Sequence, residues 1–162
     1  SSYDTNGNHK NVIDDVSLIV KCKNNITCNY WFSKSSFGYN NGMKIRVFCE
    51  FGSLEWTQEN PEFIQFVDRY GNKTTADRSS LNCSIANLDS FNRFKAGHPI
   101  GYMEAFANFY NEIYESLTMF FEKGRINETV FSIETAIEGL AMLDAASTSN
   151  ISKRWQDINS FE

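Results

Sequence analysis

The stretch MKIRVFCEFGSLEW, residues 43–56, decides the fold class that this sequence predicts. Apolar and polar side chains alternate along residues 43–51, and such a period of two is typical of a β-strand with one buried face. Gly52 breaks the alternation, and a second short apolar segment follows at residues 54–56. The stretch therefore predicts two neighbouring strands that are joined by a tight turn.

Further strands are predicted on both sides of this stretch. Residues 16–22 alternate in the same way, residues 28–33 form an aromatic-rich run, and residues 63–67 form another apolar segment. Strands so close together along the chain form an antiparallel meander, because parallel strands need a long crossover between them. Residues 1–11 are polar and are predicted to be a loop or a severed linker.

The second half of the chain changes to a helical period after an irregular stretch that is predicted from about residue 74 to residue 97. Apolar side chains recur every three or four residues from Tyr102 to Phe120, which predicts an amphipathic helix. Pro99 lies at the start of this helix and Gly124 beyond its end, as is typical of helix boundaries.

A second helix is predicted over residues 133–143, where apolar side chains again recur at helical spacing. Ser132 is its predicted N-cap, and the polar run at residues 147–150 is its predicted end. Strands followed by helices indicate an α+β fold, here an open, largely antiparallel sheet with two main helices packed on one face. We expect residues 12–162 to form a single domain.

The composition argues against several classes of protein. The 162 residues carry 15 Lys and Arg against 20 Asp and Glu, which gives a net charge of −5. A nucleic-acid binder needs a basic surface, which this balance does not supply. No apolar run approaches the roughly 18 residues that cross a bilayer. We therefore expect neither a nucleic acid nor a membrane as a partner.

The cysteines and glycosylation motifs bear on the cellular compartment. The four cysteines are Cys22, Cys28, Cys49 and Cys83. They form no CxxC pair, and we interpret them as buried core thiols. N-x-S/T sequons begin at Asn25, Asn72, Asn82, Asn127 and Asn150. This number barely exceeds chance for so degenerate a motif, so the sequence favours a reducing, cytoplasmic location.

No complete active site is visible in the sequence. It contains no GxGxxG, Walker, HExxH or GxSxG motif, so no cofactor-binding or nucleophile motif stands on its own. The only histidines are His9 and His98, and a histidine-based metal site is not expected.

His98 is the most interesting single residue. It lies between Gly97 and Pro99, where the chain enters the first predicted helix. The positive end of the helix dipole favours a neutral imidazole, which can exchange hydrogen bonds with a polar ligand. A structural role, in which His98 only packs against the helix entry, stays open.

A second candidate segment covers residues 33–41. Its Lys34, Tyr39 and Asn41 side chains are suitable hydrogen-bond partners for hydroxyl groups or a carboxylate. A solvated hairpin loop without a ligand is the alternative.

Some predicted strands are apolar on both sides, as Ile19 and Phe48 show. A sheet that has helices on one face and apolar side chains on the other must cover that second face. We therefore expect a second subunit or a neighbouring domain there.

Two longer segments carry a resemblance to a known family. The segment GSLEWTQENP, residues 52–61, is followed by GHPIGYMEAFANFY, residues 97–110. In this order and spacing they resemble the C-terminal region of the Gfo/Idh/MocA family of NAD(P)-dependent oxidoreductases, which includes glucose-fructose oxidoreductase and inositol dehydrogenase. Residues 14–17 and 152–155 also look like the family's ends, so that the resemblance covers residues 12–156.

The resemblance implies that this chain is part of a longer enzyme. Members of the family carry an N-terminal Rossmann domain, which binds NAD or NADP, and then a domain built on an open antiparallel sheet that packs subunits together. The family's Gly-rich loop, its Glu-Lys-Pro motif and its Asp/His pair have no counterpart here. The resemblance therefore places the cofactor site and the catalytic residues upstream of Ser1.

The family's substrate-side residues can be matched one by one. Its Gly-His-Pro-x-Gly-Tyr segment falls on Gly97, His98, Pro99, Gly101 and Tyr102. Ile100 is a departure, since that position is often polar in relatives. Residues 33–41 correspond to a loop that faces the substrate cleft in relatives, with Lys34 and Tyr39 in place of the usual side chains. The resemblance thus implies that His98 and this loop contact the substrate.

Two functions from different classes are predicted. The first is the substrate-binding and oligomerisation domain of an oxidoreductase acting on a hydroxyl or keto carbon of a sugar, cyclitol or related polyol. We expect this chain to be inactive alone. The alternative is a non-catalytic, stand-alone binding or oligomerisation module, whether secreted or not. A GxGxxG motif upstream of Ser1 would favour the enzyme, and a signal peptide there would favour the module.

Overall fold

The computed structural model describes the chain at residues 2–3, 9–10, 13–80, 88–89, 91–127 and 130–158. These ranges contain eight β-strands and two α-helices. The chain divides into two compact units. The first unit comprises Ser1–Tyr39 and Ile133–Glu162, and the second unit comprises Asn40–Ser132.

Two antiparallel strand pairs belong to the first unit. β1 (Ser2–Tyr3) pairs with β2 (His9–Lys10). β3 (Asp15–Lys21) pairs along its whole length with β4 (Thr27–Ser33). Every second side chain of β3 is partly buried, which confirms the predicted period of two.

The turn between β3 and β4 is a short 3-10 turn, Lys23–Asn25. Asn24 has a φ of 60° there, a left-handed conformation that asparagine tolerates better than most residues. The backbone N–H of Cys22 donates to the carbonyl oxygen of Ile26 at 2.8 Å and so closes the turn.

The prediction that the cysteines are core thiols is wrong for those that the structure describes. Cys22 and Cys49 are exposed, and Cys28 is partly buried. Cys22 is exposed because β3 ends at Lys21, which leaves it in the turn. Cys83 lies outside the described residues.

The second helix, labelled α2 (Ile133–Ser152), also belongs to the first unit. The predicted helix over residues 133–143 is confirmed, but the prediction that residues 147–150 end it is wrong. The Ser152 hydroxyl donates to the carbonyl oxygen of Thr148 at 2.8 Å. Such back-bonding satisfies a polar side chain inside a helix, so a polar run need not end one.

A four-stranded antiparallel meander forms the sheet of the second unit. Its strands, in order, are β5 (Lys44–Cys49), β6 (Gly52–Thr57), β7 (Phe63–Asp68) and β8 (Lys73–Asp77). A Cβ atom at Gly52 would overlap the carbonyl oxygen of Val67. Glycine is therefore required where β6 and β7 approach each other.

β8 corrects the sequence prediction, which began an irregular stretch at about residue 74. Lys73–Asp77 is mostly polar and has no apolar alternation. It is a strand because it pairs with β7 at five positions, from Phe63 with Asp77 to Val67 with Lys73. Pairing with a neighbouring strand outweighs local composition here.

The first helix, α1 (Tyr102–Lys123), lies where the apolar stripe predicts it. Gly101 is its N-cap, so Pro99 precedes the helix and does not begin it. Gly124 ends α1 with a φ of 64°, and its N–H donates to the carbonyl oxygen of Phe120 at 2.8 Å. This is the left-handed glycine cap that the sequence predicts.

The register gives the four-stranded sheet two different faces. Val47, Leu54 and Phe66 are aligned on one face and line an open concavity of about 390 Å³. On the opposite face, Glu55 lies 2.9 Å from Lys44 Nζ and 3.1 Å from Arg46 Nε.

The α+β class and its antiparallel strands are confirmed. Ile19 and Phe48, predicted to point away from the apolar side of their strands, are 59% and 77% exposed. A single domain over residues 12–162 stays a prediction. Neither described helix combines the length and apolar character that a bilayer-spanning helix needs.

Candidate functional site

The segment that enters α1 is anchored by a buried arginine. Arg78 is only 6% exposed, and its Nη2 donates two hydrogen bonds to this segment. One goes to the carbonyl oxygen of Lys95 at 3.1 Å, and the other to that of His98 at 2.9 Å. One guanidinium nitrogen thus fixes two backbone positions of the loop that carries His98.

Glu62 joins the same anchor from the turn between β6 and β7. Its Oε2 lies 3.1 Å from Arg78 Nε, an ion-pair distance whose alignment falls short of a hydrogen bond. Its Oε1 accepts a hydrogen bond from the backbone N–H of Ile100 at 3.2 Å. The two side chains are 6% and 18% exposed, so the charges of Arg78 and Glu62 compensate each other largely out of water.

A capped turn directs Arg78 inward after the end of β8. The Asp77 carboxylate accepts hydrogen bonds from the backbone N–H of Ser79 at 2.9 Å and from its hydroxyl at 2.6 Å. These bonds lower the pKa of Asp77, because they favour its charged form. Arg78 lies between Asp77 and Ser79 in the chain, so the hydrogen bonds between these two residues set its position.

The first turn of α1 is capped by its own glutamate. The backbone N–H of Gly101 donates to Glu104 Oε2 at 2.9 Å, as in one half of a capping box. This bond is the main reason why the pKa of Glu104 is lowered, and the positive charge of Arg78 adds a smaller effect. The Glu104 carboxylate that caps α1 and the Arg78 guanidinium that anchors the loop therefore attract each other.

His98 presents one ring nitrogen to solvent. Its Nδ1 lies 3.1 Å from the carbonyl oxygen of Lys95. A carbonyl can only accept, so we assign a ring proton to Nδ1; in the neutral imidazole this leaves a lone pair on Nε2. Nε2 has no partner among the described residues, and the side chain is exposed. His98 can therefore accept a hydrogen bond from a hydroxyl group.

A small cavity adjoins the anchor on the side of α1. Phe91, Phe94 and Ile100 contribute to its lining, together with Arg78 and Asn108. Arg78 Nη1, a donor, and Asn108 Oδ1, an acceptor, are both buried there and have no hydrogen-bond partner among the described residues. The cavity is large enough for about one water molecule.

The other predicted site residues divide between the two units. Lys34 and Tyr39 belong to the first unit, and Asn41 belongs to the second unit with His98. The Lys34 N–H donates to the carbonyl oxygen of Asp14 at 2.8 Å. Tyr39 is 70% exposed, and its ring meets that of Trp31 edge-on at 5.6 Å.

Asn41 and His98 are not joined by a hydrogen bond within the described ranges. The carbonyl oxygen of Asn41 accepts from the N–H of Met43 at 3.0 Å, in the turn just before β5. Its φ is 20°. A substrate role for Lys34, Tyr39, Asn41 and His98 stays a prediction.

Sequence reasoning missed the residues that hold the His98 loop. Arg78 and Glu62 reach it over 20 and 38 positions of the chain. No local periodicity reports such a pairing. One signal was present, since Glu62 directly follows the segment that carries the family resemblance.

The described residues do not fit a dinucleotide or a metal ion. Dinucleotide binding uses a glycine-rich turn between a strand and the helix of a parallel crossover. The described strands pair only in antiparallel ladders. Within the described ranges, no three His, Cys, Asp or Glu side chains are grouped so that they could hold a metal.

Comparison with solved structures relates this fold to oxidoreductases. An oxidoreductase from Pseudomonas syringae matches 90% of this chain with a TM-score of 0.81 and 22% identity. An oxidoreductase from Sinorhizobium meliloti matches 93% with a TM-score of 0.75 and 26% identity. An inositol dehydrogenase homologue from Azotobacter vinelandii, complexed with NADH and myo-inositol, matches 65% with a TM-score of 0.60 and 28% identity.

The chain has the fold of an oxidoreductase domain. It spans 41% and 43% of the first two of these proteins and 28% of the third, so it corresponds to a part of each. No protein-family model matches the sequence, and no curated protein is significantly similar to it.

Proposed function

We propose that this chain is the C-terminal, substrate-binding and oligomerisation domain of an NAD(P)-dependent oxidoreductase. The substrate is a sugar, cyclitol or related polyol, oxidised at a hydroxyl carbon or reduced at a keto carbon. The observation that carries the proposal is the 28% identity to an inositol dehydrogenase homologue complexed with NADH and myo-inositol. The Gfo/Idh/MocA-like segment at residues 97–102 also supports it, and the buried Arg78 holds this segment through the carbonyl oxygen of His98.

His98 accepts a hydrogen bond from a substrate hydroxyl through Nε2. Its Nδ1 is directed at the carbonyl oxygen of Lys95, so the ring is already oriented before substrate binds. Lys34, Tyr39 and Asn41 supply further hydrogen bonds to hydroxyl groups. Each of these residues is proposed as a substrate ligand, and none as a catalytic residue.

NAD or NADP binds mainly to a Rossmann domain elsewhere in the full-length protein, which also carries the catalytic residues. When bound, the cofactor supplies or removes the hydride. The family resemblance implies this division of labour, and the antiparallel pairing of the described strands is consistent with it. We propose a cytoplasmic location and no nucleic-acid or membrane partner. The net charge of −5 on this chain disfavours nucleic-acid binding.

The face of the four-stranded sheet that carries Val47 binds a second copy of the protein. This is the face opposite to Phe48, whose exposed ring led the sequence to predict a partner on the other side. Ile45 and Val47 are 45% and 43% exposed on this face, beside its open concavity. Burial of such a patch is favourable in proportion to its apolar area. Val47→Lys should dissociate the oligomer in sedimentation experiments, whereas Thr75→Lys on the opposite face should not. An unchanged sedimentation coefficient for Val47→Lys would contradict this interface.

The decisive experiment uses the full-length protein with NAD or NADP and a panel of cyclitols, aldoses and simple alcohols. Reduction of the nicotinamide should occur with polyols and not with the simple alcohols. A protein that neither turns over any polyol nor binds a dinucleotide by calorimetry would refute the enzyme and favour the stand-alone module. Micromolar binding of NAD(P) to residues 1–162 alone would show that the cofactor site is misplaced.

A further inference from the structure

We propose that Cys22 and Cys28 form a modification site, a reversible disulfide at the end of the β3–β4 hairpin. Their Sγ atoms lie 3.9 Å apart as free thiols. A disulfide brings two sulfur atoms to about 2.05 Å, so the two thiols are neighbours near van der Waals contact and must approach by about 2 Å to bond. Cys49, the other free cysteine in the described part of the chain, is in the second unit and serves as a control.

The hairpin register explains why the two thiols meet. Val20 lies directly opposite Cys28. Cys22 follows Val20 by two residues, and side chains two residues apart in a strand point to the same face. Cys22 and Cys28 are therefore diagonal neighbours on one face of the hairpin, with Cys22 just beyond its last paired residue, Lys21.

Closing the bond requires a small movement at the turn. Diagonal neighbours in a sheet are about 7–8 Å apart at the backbone, slightly more than most disulfides span. The turn can supply this movement, because Cys22 is exposed and its backbone N–H makes a single hydrogen bond, to Ile26. The intact ladder holds Cys28 in place while Cys22 approaches it.

The reaction is a thiol–disulfide exchange with a low-molecular-weight disulfide such as oxidised glutathione. The thiolate of the exposed Cys22 attacks that disulfide, forms a mixed disulfide and releases one glutathione thiol. The thiolate of Cys28 then attacks Cys22 Sγ, which forms the protein disulfide and releases the second glutathione thiol. Two protein thiols are oxidised, one external disulfide is reduced to two thiols, and no other reactant is needed.

A peptide-mapping experiment on the full-length protein tests the proposal. The native protein is incubated with oxidised glutathione, quenched with acid, alkylated and digested with trypsin. Cleavage after Lys21, Lys23 and Lys34 should yield the dipeptide Cys22-Lys23 linked to residues 24–34. This product should form about tenfold faster than any other linked pair, and excess reduced glutathione should reverse it.

Variants separate the two steps. Cys28→Ser should stop the reaction at a stable glutathione adduct on Cys22, because the resolving thiol is gone. Cys49→Ser should leave the linked peptide unchanged. In urea the preference for this pair should decrease, since the hairpin no longer orients the thiols. A persistent glutathione adduct on Cys22 in the unaltered protein, or pairing of Cys22 with a different cysteine, would overturn the proposal.

Discussion

Arg78 Nη2 lies 2.9 Å from the carbonyl oxygen of His98, 20 residues further along the chain. The same nitrogen donates to the carbonyl oxygen of Lys95, which is also the acceptor for the His98 ring. The position and the ring orientation of His98 therefore depend on a side chain at the end of β8. This relationship connects the sheet of the second unit to the proposed substrate-binding residue.

Replacement of Arg78 by Met should destabilise the domain by about 3 kcal/mol or more, because it leaves the Glu62 carboxylate buried without its partner. It should also lower kcat/KM by freeing the His98 loop. Urea unfolding of the full-length protein measures the first effect.

Arg46→Met is the matched control, because Arg46 also pairs with a glutamate but is 56% exposed. An exposed ion pair is worth at most about 1 kcal/mol. Equal losses for Arg78→Met and Arg46→Met would contradict the role of burial.

Replacement of His98 by Ala should lower kcat/KM for the polyol about 10- to 100-fold with little change in melting temperature, as expected for the loss of one hydrogen bond to substrate. Steady-state kinetics and calorimetry on the full-length protein measure both. His98→Gln offers a side-chain acceptor and should recover part of the activity. Unchanged kinetics with a large fall in melting temperature would make His98 a structural residue.

Replacement of Glu104 by Gln should reduce stability near neutral pH and have little effect in acid. The Gly101 N–H lowers the pKa of Glu104 below its usual value of 4.5. A carboxylate with a lowered folded-state pKa contributes stability above its unfolded pKa, and loses it as the pH falls through the folded pKa. Melting temperatures between about pH 7 and about pH 3 test this sign.

The control for Glu104 is Glu122, an exposed carboxylate in the last turn of α1. Glu122→Gln removes a negative charge from the negative end of the helix dipole, so it should not destabilise the helix at neutral pH. If the two variants lose the same stability, the cap is not responsible.

Two glycine substitutions should have opposite effects on stability. Gly52→Ala should destabilise the sheet, because the new Cβ overlaps the carbonyl oxygen of Val67. Gly139→Ala in α2 meets nothing within 4 Å and should stabilise the helix by up to about 1 kcal/mol. Denaturant midpoints of both variants measure this difference, and a tolerated alanine at position 52 would show that β6 and β7 can separate.

Strands and helices with a periodic apolar pattern could be assigned from the sequence. The alternation along β3 and β5 and the stripe along α1 reflect geometry that each element imposes on its own neighbours. The buried face predicted for β5 is wrong, because all of its side chains are exposed. Gly124 was also predictable, because a left-handed cap requires a residue without a Cβ atom.

Residues whose secondary structure or burial depends on distant parts of the chain could not be assigned in this way. Lys73–Asp77 looks irregular by composition and becomes a strand by pairing with β7. Cys22 looks like the last inward residue of a strand, but β3 ends one residue earlier and leaves it in an exposed turn.

The sequence by itself determined the α+β class, the antiparallel order of strands and His98 as the candidate at the entry of α1. Only the tertiary structure decided what holds His98, namely Arg78 and Glu62, and what faces Cys22, namely Cys28. The physical reason is the separation along the chain over which each feature is set. Periodicity is set by bonds between near neighbours, whereas these contacts exist only after hairpin register and turn geometry bring distant side chains together.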